Sequence, residues 1–138
     1  MSISVLVCDD LESVQSMLRR MLERVGLTVC GVASTADEVV DRYQECRPDV
    51  VLLDYRMPGA TGLSLLHDLL GLDPEARIVI CSGTADPAVR SEALAAGAME
   101  WVLKPIFPQT FIATLRDLIA RSPRAARPHS DDGRRVTG

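Results

Sequence analysis

Five short aliphatic runs recur along the chain, and each stops on a polar or charged residue. Residues 3–8 run into Asp9 and Asp10, 28–33 into Ser34, and 50–53 into Asp54. Residues 77–81 run into Ser82 and Gly83, and 99–103 into Lys104 and Pro105. Continuous apolar runs of this length, rich in Val and Ile, suit strands buried on both faces. Between them the apolar period changes. Val14, Met17, Leu18, Met21, Leu22 and Val25 recur at three and four, one face of an amphipathic helix over 12–25 that stops at Gly26. A second helix is expected from Ser34-Thr35 to about 46, with Val39, Val40 and Tyr43 on its apolar side and Glu38 at capping-box spacing from Thr35. Residues 55–59 read as loop, because Pro58 pushes Met57 out of helical space. Residues 61–71 suit a third helix, Pro87 behind Asp86 opens a fourth that Gly97 ends, and Pro108 opens a fifth to about 121. Five strands alternating with five helices give one parallel sheet covered on both faces and wound by right-handed crossovers.

Composition narrows the class further. The 138 residues are one domain's worth of chain. A folded unit is expected over 1–121, followed by a disordered tail or linker stub over 122–138, where no apolar period continues. No uncharged apolar run approaches the roughly 18 residues of a membrane span. The first residues lack the basic region and apolar core of a secretion signal, so a cytoplasmic protein is expected. Cys8, Cys30, Cys46 and Cys81 contain no C-x-x-C pair, and each is expected to be a small buried apolar residue rather than a zinc ligand or disulfide partner. The net charge of −4 is uneven: residues 122–138 carry four Arg against two Asp, which leaves −6 on residues 1–121. An acidic body argues against direct nucleic acid binding by residues 1–121.

In an open parallel sheet, ligands bind outside the C-terminal ends of the strands. Asp9, Asp10, Asp54, Ser82 and Lys104 all stand at such ends, so three carboxylates, a hydroxyl and an ammonium should converge on one edge. Two carboxylates about 4 Å apart repel by roughly 4 kcal/mol at an effective dielectric near 20. Three together require cations or protonation. Lys104 supplies one charge, and it is the only Lys among fifteen basic residues. A compact ammonium suits a point contact to a phosphoryl oxygen better than a guanidinium fork would. A hard divalent ion such as Mg²⁺ is the natural second cation. His67 falls mid-helix and His129 in the tail, so neither is placed as a base, and no nucleotide-cradling glycine loop is present. A carboxylate nucleophile beside a metal, a lysine and a hydroxyl fits phosphoryl transfer onto Asp.

These residues, in this order, resemble the receiver domains of two-component response regulators, the CheY-like superfamily. The resemblance covers about 3–121. It rests on Asp9-Asp10, on Asp54 followed by Met57-Pro58-Gly59 and Gly62, on Ser82, on Ala95-Ala96-Gly97-Ala98, and on Lys104-Pro105. It implies a doubly wound, flavodoxin-like α/β fold with strand order 2-1-3-4-5, acting as a signalling switch rather than an enzyme. Asp54 resembles the phosphoacceptor that takes its phosphoryl group from a histidine kinase or phosphotransfer protein. Asp9 and Asp10 look like the Mg²⁺ acid pair, joined by Asp54 and the backbone carbonyl of Arg56. Lys104 resembles the lysine that contacts phosphoryl oxygens, and Ser82 the switch hydroxyl. Trp101 stands where the family often has the Tyr or Phe of the switch, and it lacks a phenolic OH. Arg56 and Thr84 occupy positions that influence acyl-phosphate lifetime in the family. The implied output is a change in the surface of the fourth helix, fifth strand and fifth helix, read by a protein partner, an output domain not in this chain, or a second copy on phosphorylation.

Blander readings compete. Asp9, Asp10 or Asp54 could cap helices, Ser82 could be a turn residue, and Trp101 ordinary packing. A rival activity is a small Mg²⁺-dependent phosphohydrolase with an aspartyl-phosphate intermediate. Such enzymes usually place their acids as D-x-D, whereas here the acids are adjacent. A flavin mononucleotide carrier would share the topology, but the acids after strand one would repel an anionic cofactor.

Overall fold

A computed structural model describes residues 3–121. The proposed tail over 122–138, with His129, lies outside the described residues. The elements are β1 (Ser4–Cys8), α1 (Glu12–Arg24), β2 (Thr28–Ala33), α2 (Ala36–Cys46), β3 (Val50–Asp54), β4 (Arg56–Met57), β5 (Ala60–Thr61), α3 (Gly62–Leu72), β6 (Ile78–Ser82), α4 (Pro87–Ala96), β7 (Glu100–Leu103) and α5 (Pro108–Arg121). The main sheet is parallel, in the order β2-β1-β3-β6-β7. Because β4 and β5 form a separate pair, β6 and β7 are the fourth and fifth strands of the sequence reading, and the order is the expected 2-1-3-4-5.

Alternation along each strand divides the interior in two. Leu6, Cys8, Val51, Leu53, Ile78, Ile80 and Trp101 face one layer, where Val39 and Tyr43 of α2, Leu65, Leu66 and Leu69 of α3, and Ala93 of α4 pack. Val5, Val7, Val50, Leu52, Val79 and Cys81 face the other, under Leu18, Met21 and Leu22 of α1 and Phe111, Ile112, Leu115 and Leu118 of α5. Each central strand therefore buries both faces, which is why β3 and β6 are apolar up to their last residues, Asp54 and Ser82.

Local chemistry sets the helix starts. Thr35 Oγ1 accepts from Glu38 N at 3.4 Å, while Glu38 Oε1 accepts from Ser34 N at 2.7 Å, one residue earlier than a standard capping box. Asp86 caps α4 ahead of Pro87, its Oδ1 accepting from Ala88 N at 3.0 Å, and Gly97 ends that helix at φ +120°.

Two expectations need correction. Residues 55–59 are not all loop: Arg56–Met57 pairs antiparallel with Ala60–Thr61, turning at Gly59 with φ +101°. Pro58 excludes helix, as expected, but leaves room for a two-residue ribbon. The cysteines also divide. Cys8 and Cys81 are buried, whereas Cys30 is exposed and Cys46 half-buried. The cause is a β-bulge. Val5 pairs with Val29 and Leu6 with Gly31, so Cys30 is the surplus residue of an edge strand.

Candidate functional site

Asp9 directly follows β1, and Asp54 is the last residue of β3, the adjacent strand. Lys104 follows β7, two strands further along, and its N–H donates to Ser82 O at 2.8 Å. The ends of β1 and β3 bring one oxygen each of Asp9, Asp10 and Asp54 within 4.8 Å of one another. Asp9 and Asp54 are buried and Asp10 is exposed, so the cluster is open on one side. Lys104 Nζ donates to Asp9 Oδ2 at 2.9 Å and lies 3.3 Å from Asp54 Oδ2. The three carboxylates and the ammonium converge as expected from the strand ends.

The capping alternative is answered atom by atom. The N-cap of α1 is Leu11, with no side-chain cap. Asp9 Oδ1 accepts from Leu11 N at 2.9 Å, closing a short turn, and its other oxygen meets Lys104. Asp54 Oδ1 accepts from Arg56 N at 3.4 Å, and this residue ends a strand rather than beginning a helix. Both carboxylates are thus oriented by backbone N–H groups while one oxygen of each faces the ammonium.

Burial pushes the Asp54 carboxyl above its usual range, with Lys104 pulling the other way and Asp9 adding repulsion. Burial pulls the Lys104 ammonium down, but its bond to Asp9 and the charges of Asp54 and Asp9 together carry it above the usual lysine range. Lys104 is therefore a fixed positive charge. An oxygen-only set of clustered carboxylates with one open side is a donor set for a hard divalent cation such as Mg²⁺.

Ser82 is 2 % exposed, and its Oγ accepts from Thr84 N at 3.1 Å. The turn reading holds for that oxygen, although a hydroxyl retains a proton to donate elsewhere. Thr84 O in turn accepts from Trp101 Nε1 at 3.2 Å, and the indole lies 5.4 Å from the Tyr55 ring, centroid to centroid. Trp101 is 6 % exposed. Ser82, Thr84, Trp101 and Tyr55 therefore form a continuous chain from the site to β7. The Arg56 side chain is exposed, and so is His67 on α3.

Sequence reasoning did not single out Tyr55, nor Gln15, whose amide nitrogen donates to Asp9 O and to Ser34 Oγ. It used Gly62 only as part of a motif. A Cβ at Gly62 would lie 2.7 Å from Tyr55 Cα, and its N–H donates to Tyr55 O. The small residue lets α3 start against the backbone that follows Asp54.

Comparison with known proteins adds an independent line. The family model described as "Response regulator receiver domain" matches residues 5–116. The chemotaxis protein CheY of Thermotoga maritima is 33% identical over 111 residues, 80% of this chain and 92% of that protein. Response regulator GacA of Pseudomonas aeruginosa is 31% identical over 119 residues, 86% of this chain and 56% of that protein. Among solved structures, a LuxR-family two-component response regulator from Aurantimonas superposes with a TM-score of 0.82 at 29% identity, covering 88% of this chain and 87% of that one. Vibrio cholerae chemotaxis protein CheY4 superposes with a TM-score of 0.81 at 27% identity, covering 86% of this chain and 100% of that one.

Proposed function

The chain belongs to the response regulator receiver domain family, and from that premise we propose that Asp54 is its phosphoacceptor. The protein is a phosphorylation-activated switch, a signalling domain rather than a classical enzyme. The finer assignments are ours. One oxygen of Asp54 attacks the phosphorus of a phosphohistidine on a histidine kinase or phosphotransfer protein. An O–P bond forms, the N–P bond breaks, and the leaving imidazole takes a proton. Lys104 holds one positive charge against the transferred oxygens. Asp9, Asp10 and Asp54, with the Arg56 carbonyl, would hold Mg²⁺, which neutralises phosphoryl charge when bound. The single observation that carries the reading is the pairing of Lys104 Nζ with both Asp9 and Asp54 beside exposed Asp10.

Switching follows from the Ser82 chain. A phosphoryl group on Asp54 adds about −1.5 to −2 charge and three acceptor oxygens. Ser82 Oγ–H donates to one of them, which moves the hydroxyl that now accepts from Thr84 N. Thr84 also holds the Trp101 indole, so the loop after β6 and the α4–β7–α5 surface respond together. A partner, an output domain or a second copy that prefers that surface captures the active state. Residues 1–121 are the unit to which we assign this behaviour, with a cytoplasmic location. Among the described residues, no helix is long and apolar enough to cross a membrane.

The test is intact mass after phosphoramidate with Mg²⁺. Wild type should gain one phosphoryl group, Asp54→Asn none, and omission of Mg²⁺ should suppress the gain. An unchanged wild-type mass, or equal labelling of the variant, would overturn the assignment. The phosphohydrolase alternative is not favoured by the receiver relatives. Steady turnover of a chromogenic phosphate ester, abolished in Asp10→Asn, would revive it.

A further inference from the structure

Cys30 and Cys46 lie on different elements, yet the fold brings their sulfurs together. The bulge in β2 makes Cys30 the residue without a β1 partner, and its Sγ lies 3.6 Å from Val5 O. Cys46 is the last residue of α2, and its Sγ would be 2.9 Å from a Cβ placed on Gly31. Only the missing side chain at position 31 lets that sulfur settle against the strand, one residue from Cys30. The Cys30 thiol can hydrogen-bond to Cys46 as well as to the Val5 carbonyl. That bond lowers the Cys46 thiol's pKa, with burial and Glu45 opposing and Arg42 assisting. The same bond, together with burial, raises that of Cys30, to which the Asp49 charge adds. Two thiols on neighbouring elements, one of them open to solvent, can serve as an attacking and a resolving sulfur.

We propose that Cys30 and Cys46 are a dithiol that a hydroperoxide closes to a reversible disulfide, tying the edge strand β2 to the C-terminal end of α2. The Cys46 thiolate attacks the peroxide: an S–O bond forms, the O–O bond breaks, and the departing oxygen takes a proton. The Cys30 sulfur then attacks the resulting sulfenic acid. The S–S bond forms, the S–O bond breaks, and water leaves with the Cys30 proton. The two sulfurs lose two electrons in all, and the peroxide gains them. A small dithiol reverses the reaction by exchange. Cys30 is exposed, so the oxidant can reach the pair. Cys8 and Cys81 are buried, and burial pushes the Cys81 thiol up to about 12 and that of Cys8 higher still, so they serve as internal controls.

The experiment treats the full chain with hydrogen peroxide, alkylates it after denaturation, and maps it with trypsin. The expected chain is lighter by two hydrogens and carries two alkylatable thiols instead of four. Trypsin cuts after Arg24, Arg42 and Arg56 but not between Arg47 and Pro48, so peptides 25–42 and 43–56 should run linked until dithiothreitol separates them. In Cys46→Ser, Cys30 should stay alkylatable in the monomer. Four alkylatable thiols after peroxide, a sulfinic acid at Cys46 in place of the link, or equal loss of Cys30 in Cys46→Ser would each overturn the proposal. Asp54→Asn should oxidise as wild type does, which separates this outcome from that of the phosphoacceptor test.

Discussion

Asp9 meets two opposed demands with its two oxygens. One accepts from Leu11 N and fixes the carboxylate, and the other faces the ammonium of Lys104. The Asp9 side chain is only 3 % exposed, so the charge on Lys104 is what makes Asp9 tolerable beside Asp54. Lys104→Met should therefore destabilise the chain by about 1–3 kcal/mol without divalent ion, less than a fully buried pair would lose because the lysine retains solvent contact. Mg²⁺ should restore more stability to this variant than it adds to wild type, since the ion would supply the missing charge. Urea unfolding with and without Mg²⁺ measures both. A variant as stable as wild type in the absence of metal would remove Lys104 as the charge that balances the acids. The individual site residues were legible because each sits where a strand run stops, and a strand end is a place that order along the chain identifies. Tyr55 and Thr84 were not legible as contacts of Trp101, because ring stacking and an indole bond to a carbonyl depend on how loops fold back.

At the scale of elements, short apolar runs located the five main strands, and apolar period together with Pro, Gly and capping signals located the five helices. The β4–β5 ribbon escaped because two-residue strands carry no period. The bulge at Cys30 escaped because an extra residue is visible only against its partner strand. Two glycines of α3 illustrate the same division. At Gly62 a Cβ would sit 2.7 Å from Tyr55 Cα and 3.2 Å from Asp54 O, both backbone atoms that no rotamer change can clear. At Gly71 nothing lies within 4 Å. Gly62→Ala should cost about 1–3 kcal/mol by overpacking, and it should slow labelling of Asp54 because the strained backbone is the one that carries it. Gly71→Ala should stabilise by up to about 0.5–1 kcal/mol, less than at a mid-helix site because Gly71 lies in the last turn of α3. Thermal unfolding of the two variants side by side is the check, and loss of stability at both positions would mean that the packing around Gly62 is not what distinguishes them.

For the whole molecule, electrostatics couples the site to global stability. Residues 1–121 carry a net charge of −6, and the cluster of Asp9, Asp10 and Asp54 sits within that excess with a single ammonium against it. Folding must assemble these charges, whereas the unfolded chain keeps them apart. An ion that binds only the assembled cluster stabilises by mass action, by about 1.4 kcal/mol at ten times its dissociation constant. Mg²⁺ should therefore raise the unfolding midpoint in a saturable way that Na⁺ at equal ionic strength does not reproduce. Asp10→Asn separates the two contributions. Without metal it should be slightly more stable than wild type, because one of three repelling carboxylates is neutral. The gain should be small and should shrink with added NaCl, since Asp10 is exposed and its field is screened. With metal the order should reverse, wild type gaining most of the increment and Asp10→Asn little of it. A crossing of the two stability curves as Mg²⁺ is titrated is the expected signature. Parallel curves would mean that Asp10 takes no part in holding the ion, and the acid pair assigned to the metal would reduce to Asp9 and Asp54.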